Sequence, residues 1–217
     1  MLTLAEDLVL LALDDDTGRV LPVDDLGYRH ALAGAVLMDL ALRGRIDRNP
    51  EMLQVTDTTP TNEGLLNHWL RIIGEDSESL PAKVWISRLA IESEEIEAAA
   101  LARLVERGIL AEEEKRILWV FETRRYPTID GREEMEVKRR IIDVLMSEDP
   151  PRQADALLVG LVDDARLLPH LLSETEARRC APRVAEVRNS DALGREVAEI
   201  IEHLRVEMLQ ALTMAPQ

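Results

Sequence analysis

The stretch from Ala31 to Ile46, ALAGAVLMDLALRGRI, restricts the fold more than any other part of the chain. Ala31–Met38 carries no charge and is too apolar to lie flat on water, so it predicts a buried helix. Gly44 follows the last periodic leucine, Leu42, at the position where a left-handed residue ends a helix. Ile46 and Leu53-Gln54-Val55 then predict two short extended pieces. The pattern returns in ALARLVERGIL, Ala100–Leu110, where Gly108 stands in the place of Gly44. A second β-type run, Ile117-Leu118-Trp119-Val120-Phe121, comes after it. Two related helix–turn–hairpin units sharing one core are expected.

The remaining chain reads as helix. Thr3-Leu4-Ala5-Glu6 has the form of a capping box opening a helix to about Leu13. Asp14-Asp15-Asp16-Thr17-Gly18 predicts a turn, and Arg19–Val23 a short strand cut by Pro22. Leu65, Leu66, Trp69, Ile72 and Ile73 mark an amphipathic helix stopped by Gly74, and Ser79 is placed to cap one from Leu80. From Arg132 onward, helical stripes alternate with Pro150-Pro151, with a second capping box at Ser173–Glu176, and with a Ser190 cap on the last helix. The expected fold is therefore a mainly α, all-α-class bundle with a β-hairpin. It forms one globular domain over residues 1–217: two helix–turn–hairpin units, then C-terminal helices.

Composition narrows what such a bundle can do. The net charge of −16 opposes nucleic acid and anionic membranes on average. Aromatics are 3% of the residues, so the core must be aliphatic. Cys180 is the single cysteine, which excludes an internal disulfide and a cysteine metal cluster. The opening MLTLAEDLVLL lacks a basic leader region, and its apolar run is shorter than the roughly 20 residues of a membrane span. A cytoplasmic protein is expected.

No catalytic pattern emerges. His30, His68, His170 and His203 lack partners at ligand spacing and read as surface or half-buried residues, so no metal site is expected. Phosphate-binding glycine loops, nucleophile elbows and zinc-protease motifs are missing from the sequence. Glu94-Glu95 and Asp163-Asp164 read as solvated helix faces, because adjacent helical residues point different ways. A non-enzymatic protein without a cofactor is the expectation. A helix ending LVERGIL before an apolar hairpin also describes a winged-helix DNA reader, but Glu92, Glu94, Glu95, Glu97 and Glu106 would repel DNA.

Four blocks carry a resemblance: LTLAEDLVLLAL (Leu2–Leu13) before a D-x-x-G turn, LMDLALRGRI (Leu37–Ile46), LVERGIL (Leu104–Leu110), and a hairpin ending Tyr126-Pro127 before a basic helix. With these blocks the chain resembles the Golgi phosphoprotein 3 family over nearly its whole length. The resemblance implies a helical fold with a β-hairpin and a peripheral membrane adaptor. Such an adaptor binds phosphatidylinositol 4-phosphate and the short cytosolic tails of Golgi glycosyltransferases, and it self-associates through the hairpin.

The family reads the headgroup with one Trp and three Arg, and by spacing those positions are Asp24, Ala33, Glu94 and Glu97 here. Carboxylates cannot hold a phosphomonoester, so replacement contacts are sought nearby. Arg29, Arg88, Arg124 and Arg125 are the candidate headgroup residues, with Trp85 as an apolar wall. Trp119 and Phe121 are the candidate interface residues of the hairpin. Expected partners are an anionic phospholipid headgroup at the cytosolic membrane face, basic protein tails drawn by the acidic surface, and a second copy of the chain. The alternative is a soluble scaffold that oligomerises through its hairpin without lipid.

Overall fold

Thr3 opens the first helix with the expected capping box: its hydroxyl accepts from the Glu6 amide, and Glu6 accepts from the Thr3 amide at 2.7 Å. The computed structural model describes residues 2–14, 17–47, 49, 51–76, 79–117 and 121–214, with the side chains of 114–117, 121–124 and 207–214 left aside. Helix α1 spans Leu4–Ala12 and is buried throughout, so its position is fixed from every side.

Helix α2, Asp25–Leu42, is the axis of the molecule. It begins about two turns before the apolar run and is buried almost continuously from His30 to Ala41. Helices α3 (Gly64–Glu75), α4 (Ala82–Ile91) and α5 (Ser93–Glu106) pack around it from one half of the chain. Helices α7 (Gln153–Asp164) and α10 (Ala192–Met214) pack on it from the other, while α6 (Arg132–Met146) and α9 (Glu174–Arg188) lean on α7, and α8 (Leu168–Leu171) leans on α9. A helix surrounded this way has no face for charge, which is the physical reason that its sequence lacks a polar stripe. One hydrophobic cluster runs from Leu2 to Ile201, so both halves share a single core and the described chain is one mainly helical domain.

Sheet structure is sparse among the described residues. Strand β1 (Glu113–Ile117) pairs antiparallel with β2 (Phe121–Arg125) in the register Glu113↔Arg125 to Ile117↔Phe121. The first expected hairpin reduces to single bridges, Ile46↔Val55 and Leu53↔Leu80, and the Arg19–Val23 strand to the bridge Leu13↔Val20. These pieces are too short for a ladder because the polar loop 56–61 takes the chain away from them.

Several boundaries move. Gly74 lies inside α3, which ends one residue later; helix α4 begins after Pro81 and not at Leu80. Glu94 and Glu95 form the first turn of α5, where they complement the helix dipole. The Asp191 carboxylate, not Ser190, receives the Leu193 and Gly194 amides at the start of α10.

Candidate functional site

The residues that mark the four sequence blocks are joined to one another inside the molecule. Asp39 of α2 accepts from the Leu4 amide at 2.7 Å and pairs with Arg43 one turn on. Glu6 pairs at 3.6 Å with Arg107, at the end of α5 in the LVERG block. Asp7 pairs at 2.8 Å with Arg140 of α6, which reaches Asp155 of α7 at 2.7 Å. Burial is the chief cause that raises the carboxyls of Glu6, Asp39 and Asp7, and it pushes Asp7 up to about 6 against the pull of Arg140. The fourth block closes in the same way. Gly18 adopts φ +62° and its carbonyl accepts from the Tyr126 amide at 2.7 Å. A Cβ on Gly18 would meet the Pro127 nitrogen at 2.6 Å, so this turn admits only glycine.

Two of the cavities among the described residues hold candidate positions. The first, about 220 Å³, lies between residues 20–23, the start of α2 and the start of α5. Tyr28, Arg29, Glu94 and Glu97 line it, with Val20–Val23 and Leu32 as its apolar wall. Arg29 is paired with Asp25 at 3.0 Å, both groups being exposed. Glu94 and Glu97 have no cationic partner among the described residues. Burial raises the Glu97 carboxyl, opposed by the Tyr28 hydroxyl beside it and reinforced by Glu94. That hydroxyl is itself buried and closes no hydrogen bond of good geometry, although it lies near enough to Glu97 for each to shift the other's protonation.

The second cavity, about 590 Å³, lies between α3, α4 and the start of α5. Its floor holds Trp69 and Trp85, and Arg88 covers the Trp85 ring at 4.9 Å while pairing with Asp76 at 2.8 Å. Glu75, Asp76, Glu92 and Glu95 form its rim. Trp85 is only 2% exposed and belongs to the core, so it forms the inner wall expected of it but presents little ring to a ligand.

The candidate residues therefore do not converge on one basic site. Arg29 and Arg88 line separate cavities, each facing carboxylates. Arg125 is half-buried at the end of β2, opposite Glu113, with its Nε buried and unpartnered. Register places Arg124 opposite Glu114; its side chain, that of Phe121, and the whole of Trp119 lie outside the described residues. Of the four positions that the resemblance sets by spacing, Glu94 and Glu97 share a cavity. Asp24 is taken by Arg205 of α10 at 3.0 Å, and Ala33 is buried inside α2.

Two further expectations change. His30 is buried, with its Nδ1 2.9 Å from the Leu26 carbonyl, and so is not a surface residue. Asp163-Asp164 is not a solvated face. Asp164 is buried, both carboxylates pair with Arg188 of α9, and burial pushes Asp164 up to about 7. What sequence reasoning missed at the first cavity is Tyr28. One period ahead of the apolar run it reads as core, and nothing in the linear order announces that its hydroxyl faces Glu97 from another helix.

The fold is a mainly helical domain built around a buried central helix. No described helix is long and apolar enough to cross a membrane, and no group of acidic, histidine and cysteine residues able to hold a metal occurs among the described residues. The chain belongs to the Golgi phosphoprotein 3 (GPP34) family, whose pattern matches residues 4–204. It is similar to vacuolar protein sorting-associated protein 74 of Eremothecium gossypii, 29% identical over 207 residues, covering 86% of this chain and 60% of that protein. The protein of the same description in Schizosaccharomyces pombe is 26% identical over 211 residues, covering 86% and 59%. The chain thus spans about 60% of the length of these relatives.

Proposed function

We propose that this protein is a non-enzymatic adaptor of the Golgi phosphoprotein 3 kind that docks peripherally on a cytosolic membrane face. There it joins an anionic headgroup, phosphatidylinositol 4-phosphate or a related lipid, to basic protein tails. The observation that carries the reading is the family match along residues 4–204, with the family's blocks serving as the internal joints of the fold. The names of the relatives, which speak of vacuolar protein sorting, agree with a role in moving other proteins. Lipid contact falls to Arg29, Arg88, Arg124 and Arg125, with Trp85 behind Arg88. Self-association falls to the segment carrying Trp119 and Phe121.

Co-sedimentation with vesicles containing phosphatidylinositol 4-phosphate, phosphatidylserine or phosphatidylcholine alone tests the lipid half. Binding to the first above the other two is the expected result, lost at high salt because it is electrostatic. Equal indifference to all three would remove lipid from the function.

A second reading has its own support. Carboxylates line both cavities, and by spacing the resemblance sets Glu94 and Glu97 at positions where the family carries arginine. In that reading the protein is a soluble scaffold that holds basic segments and assembles through its strand pair. It predicts peptide capture with no vesicle response.

A further inference from the structure

Asp7 of α1 is 1% exposed and meets charged groups from α2, α5, α6 and α7, the helices most closely packed on it. Arg140 of α6 pairs with Asp7 at 2.8 Å and with Asp155 of α7 at 2.7 Å. Asp39 and its partner Arg43 come from α2, and Arg107, at the end of α5, reaches Glu6 on Asp7's own helix. Beyond Glu6, Glu63 is held by Arg103 at 3.3 Å, and Arg103 also pairs with Glu106. Four carboxylates, Glu6, Asp7, Asp39 and Asp155, therefore face three guanidiniums, Arg43, Arg107 and Arg140. The surplus falls on one atom. Asp7 Oδ2 accepts from Arg140, while Asp7 Oδ1 is buried with no donor among the described residues. An open acceptor in a helical core is costly, and an ionised one more so. A metal ion does not answer it, since no group able to hold one occurs among the described residues.

We propose that Asp7 Oδ1 is a proton-binding site that makes the seam between α1 and α6 a pH-sensitive joint, tight while the proton is held and looser once it has left. The proton cancels the surplus charge at the one oxygen that nothing else neutralises. Arg140 is the moving part of the joint, because it is shared: when Asp7 is neutral it still has Asp155, and when Asp7 is ionised it must serve both. Burial, the largest cause, pushes the Asp7 carboxyl up from 3.8 to about 6, against Arg140 and with help from Asp39 and Glu6. The sign follows from where the proton sits. Below pH 4 both the closed seam and an opened, solvated one carry it; between pH 4 and pH 6 only the closed seam does; above pH 6 neither does. Closure is therefore strongest in acid and weakens by about tenfold per pH unit across that window before levelling off.

Carbon-13 NMR of the aspartate carboxyls on the full chain, titrated from pH 4 to pH 8, tests the site. One signal should titrate near pH 6 and vanish in D7N; the other raised carboxyl, Asp164, is told apart by its loss in D164N. D155N leaves Arg140 to Asp7 alone and should move the midpoint down, while R140Q removes the cation and should move it up. These shifts are read on Asp7 itself, so they hold even if D7N does not fold. Amide hydrogen exchange, corrected for the intrinsic pH dependence, tests the joint. Protection of α1 and α6 in the wild type should fall about tenfold from pH 5 to pH 7, and D7N should lose most of that fall. A wild-type chain with no carboxyl but Asp164 titrating above pH 5 would overturn the proton site. A midpoint unmoved in both D155N and R140Q, or an α1 protection that falls as steeply in D7N as in the wild type, would overturn the joint.

Discussion

Asp164 shows how little a residue's name says about its charge. It sits in sequence beside another aspartate, at the end of a helix, where a solvated pair is the ordinary expectation. In the molecule it is 2% exposed and its pKa is raised from 3.8 to about 7 by burial, against the pull of Arg188. The sign follows directly. Between pH 4 and pH 7 the folded state holds a proton that the unfolded chain releases, so this group's contribution to stability falls as pH rises through that window. Asp7, raised to about 6, acts in the same direction. D164N removes one such slope. Urea unfolding at pH 4.5 and pH 7 should show the variant gaining more stability, or losing less, over that interval than the wild type. An identical pH response in both proteins would mean that Asp164 titrates normally. Gly27 makes a similar point sterically: a Cβ there would stand 2.2 Å from the Asp164 carbonyl, so the approach of α7 to α2 depends on that missing atom.

At the scale of elements, the blocks that identify the family are clamps between helices. Asp39 ties α2 to the first turn of α1 through the Leu4 amide, and Arg43 neutralises it in place. Glu6 and Arg107 join α1 to the end of α5, and the glycine turn at Gly18 seats the chain leaving β2. D39A leaves a buried amide and a half-buried guanidinium without their partner. It should cost about 2–3 kcal/mol, the scale of hydrogen bonds to a charged group. Denaturant unfolding measures it, and a loss under about 0.5 kcal/mol, as for an unremarkable surface site, would mean that the clamp is not what the block maintains. The same clamps explain why a match to these blocks predicts shape firmly and ligand weakly. They hold helices together and line neither of the two cavities.

For the whole molecule, the balance of charge decides between partners. A chain at −16 whose Arg29 and Arg88, the cations of the two cavities, are held in ion pairs with Asp25 and Asp76 offers a bilayer little positive charge at either cavity. The double change E94R/E97R places arginine at two of the positions that the resemblance sets by spacing, while leaving the molecule strongly acidic. Co-sedimentation with phosphatidylinositol 4-phosphate vesicles should rise several-fold over wild type, with phosphatidylcholine vesicles still ignored, since net charge alone would not produce the gain. An unchanged pellet would place headgroup recognition elsewhere.

Sequence by itself determined the helical class, the single aliphatic core, both capping boxes and the central place of α2. Each of these follows from local periodicity, or from a side chain meeting the backbone within one turn. It also determined family membership, because the clamp residues recur as contiguous blocks. Only the tertiary structure decided which charges are free. Arg29, Arg88, Asp24 and Asp164 look alike as exposed charges in the linear order, yet their partners come from nearby turns or from as far away as α10. Whether a charged group is neutralised, buried or left open depends on distances across the fold. The cavity where Tyr28 meets Glu94 and Glu97 exists only once α2 and α5 are brought side by side.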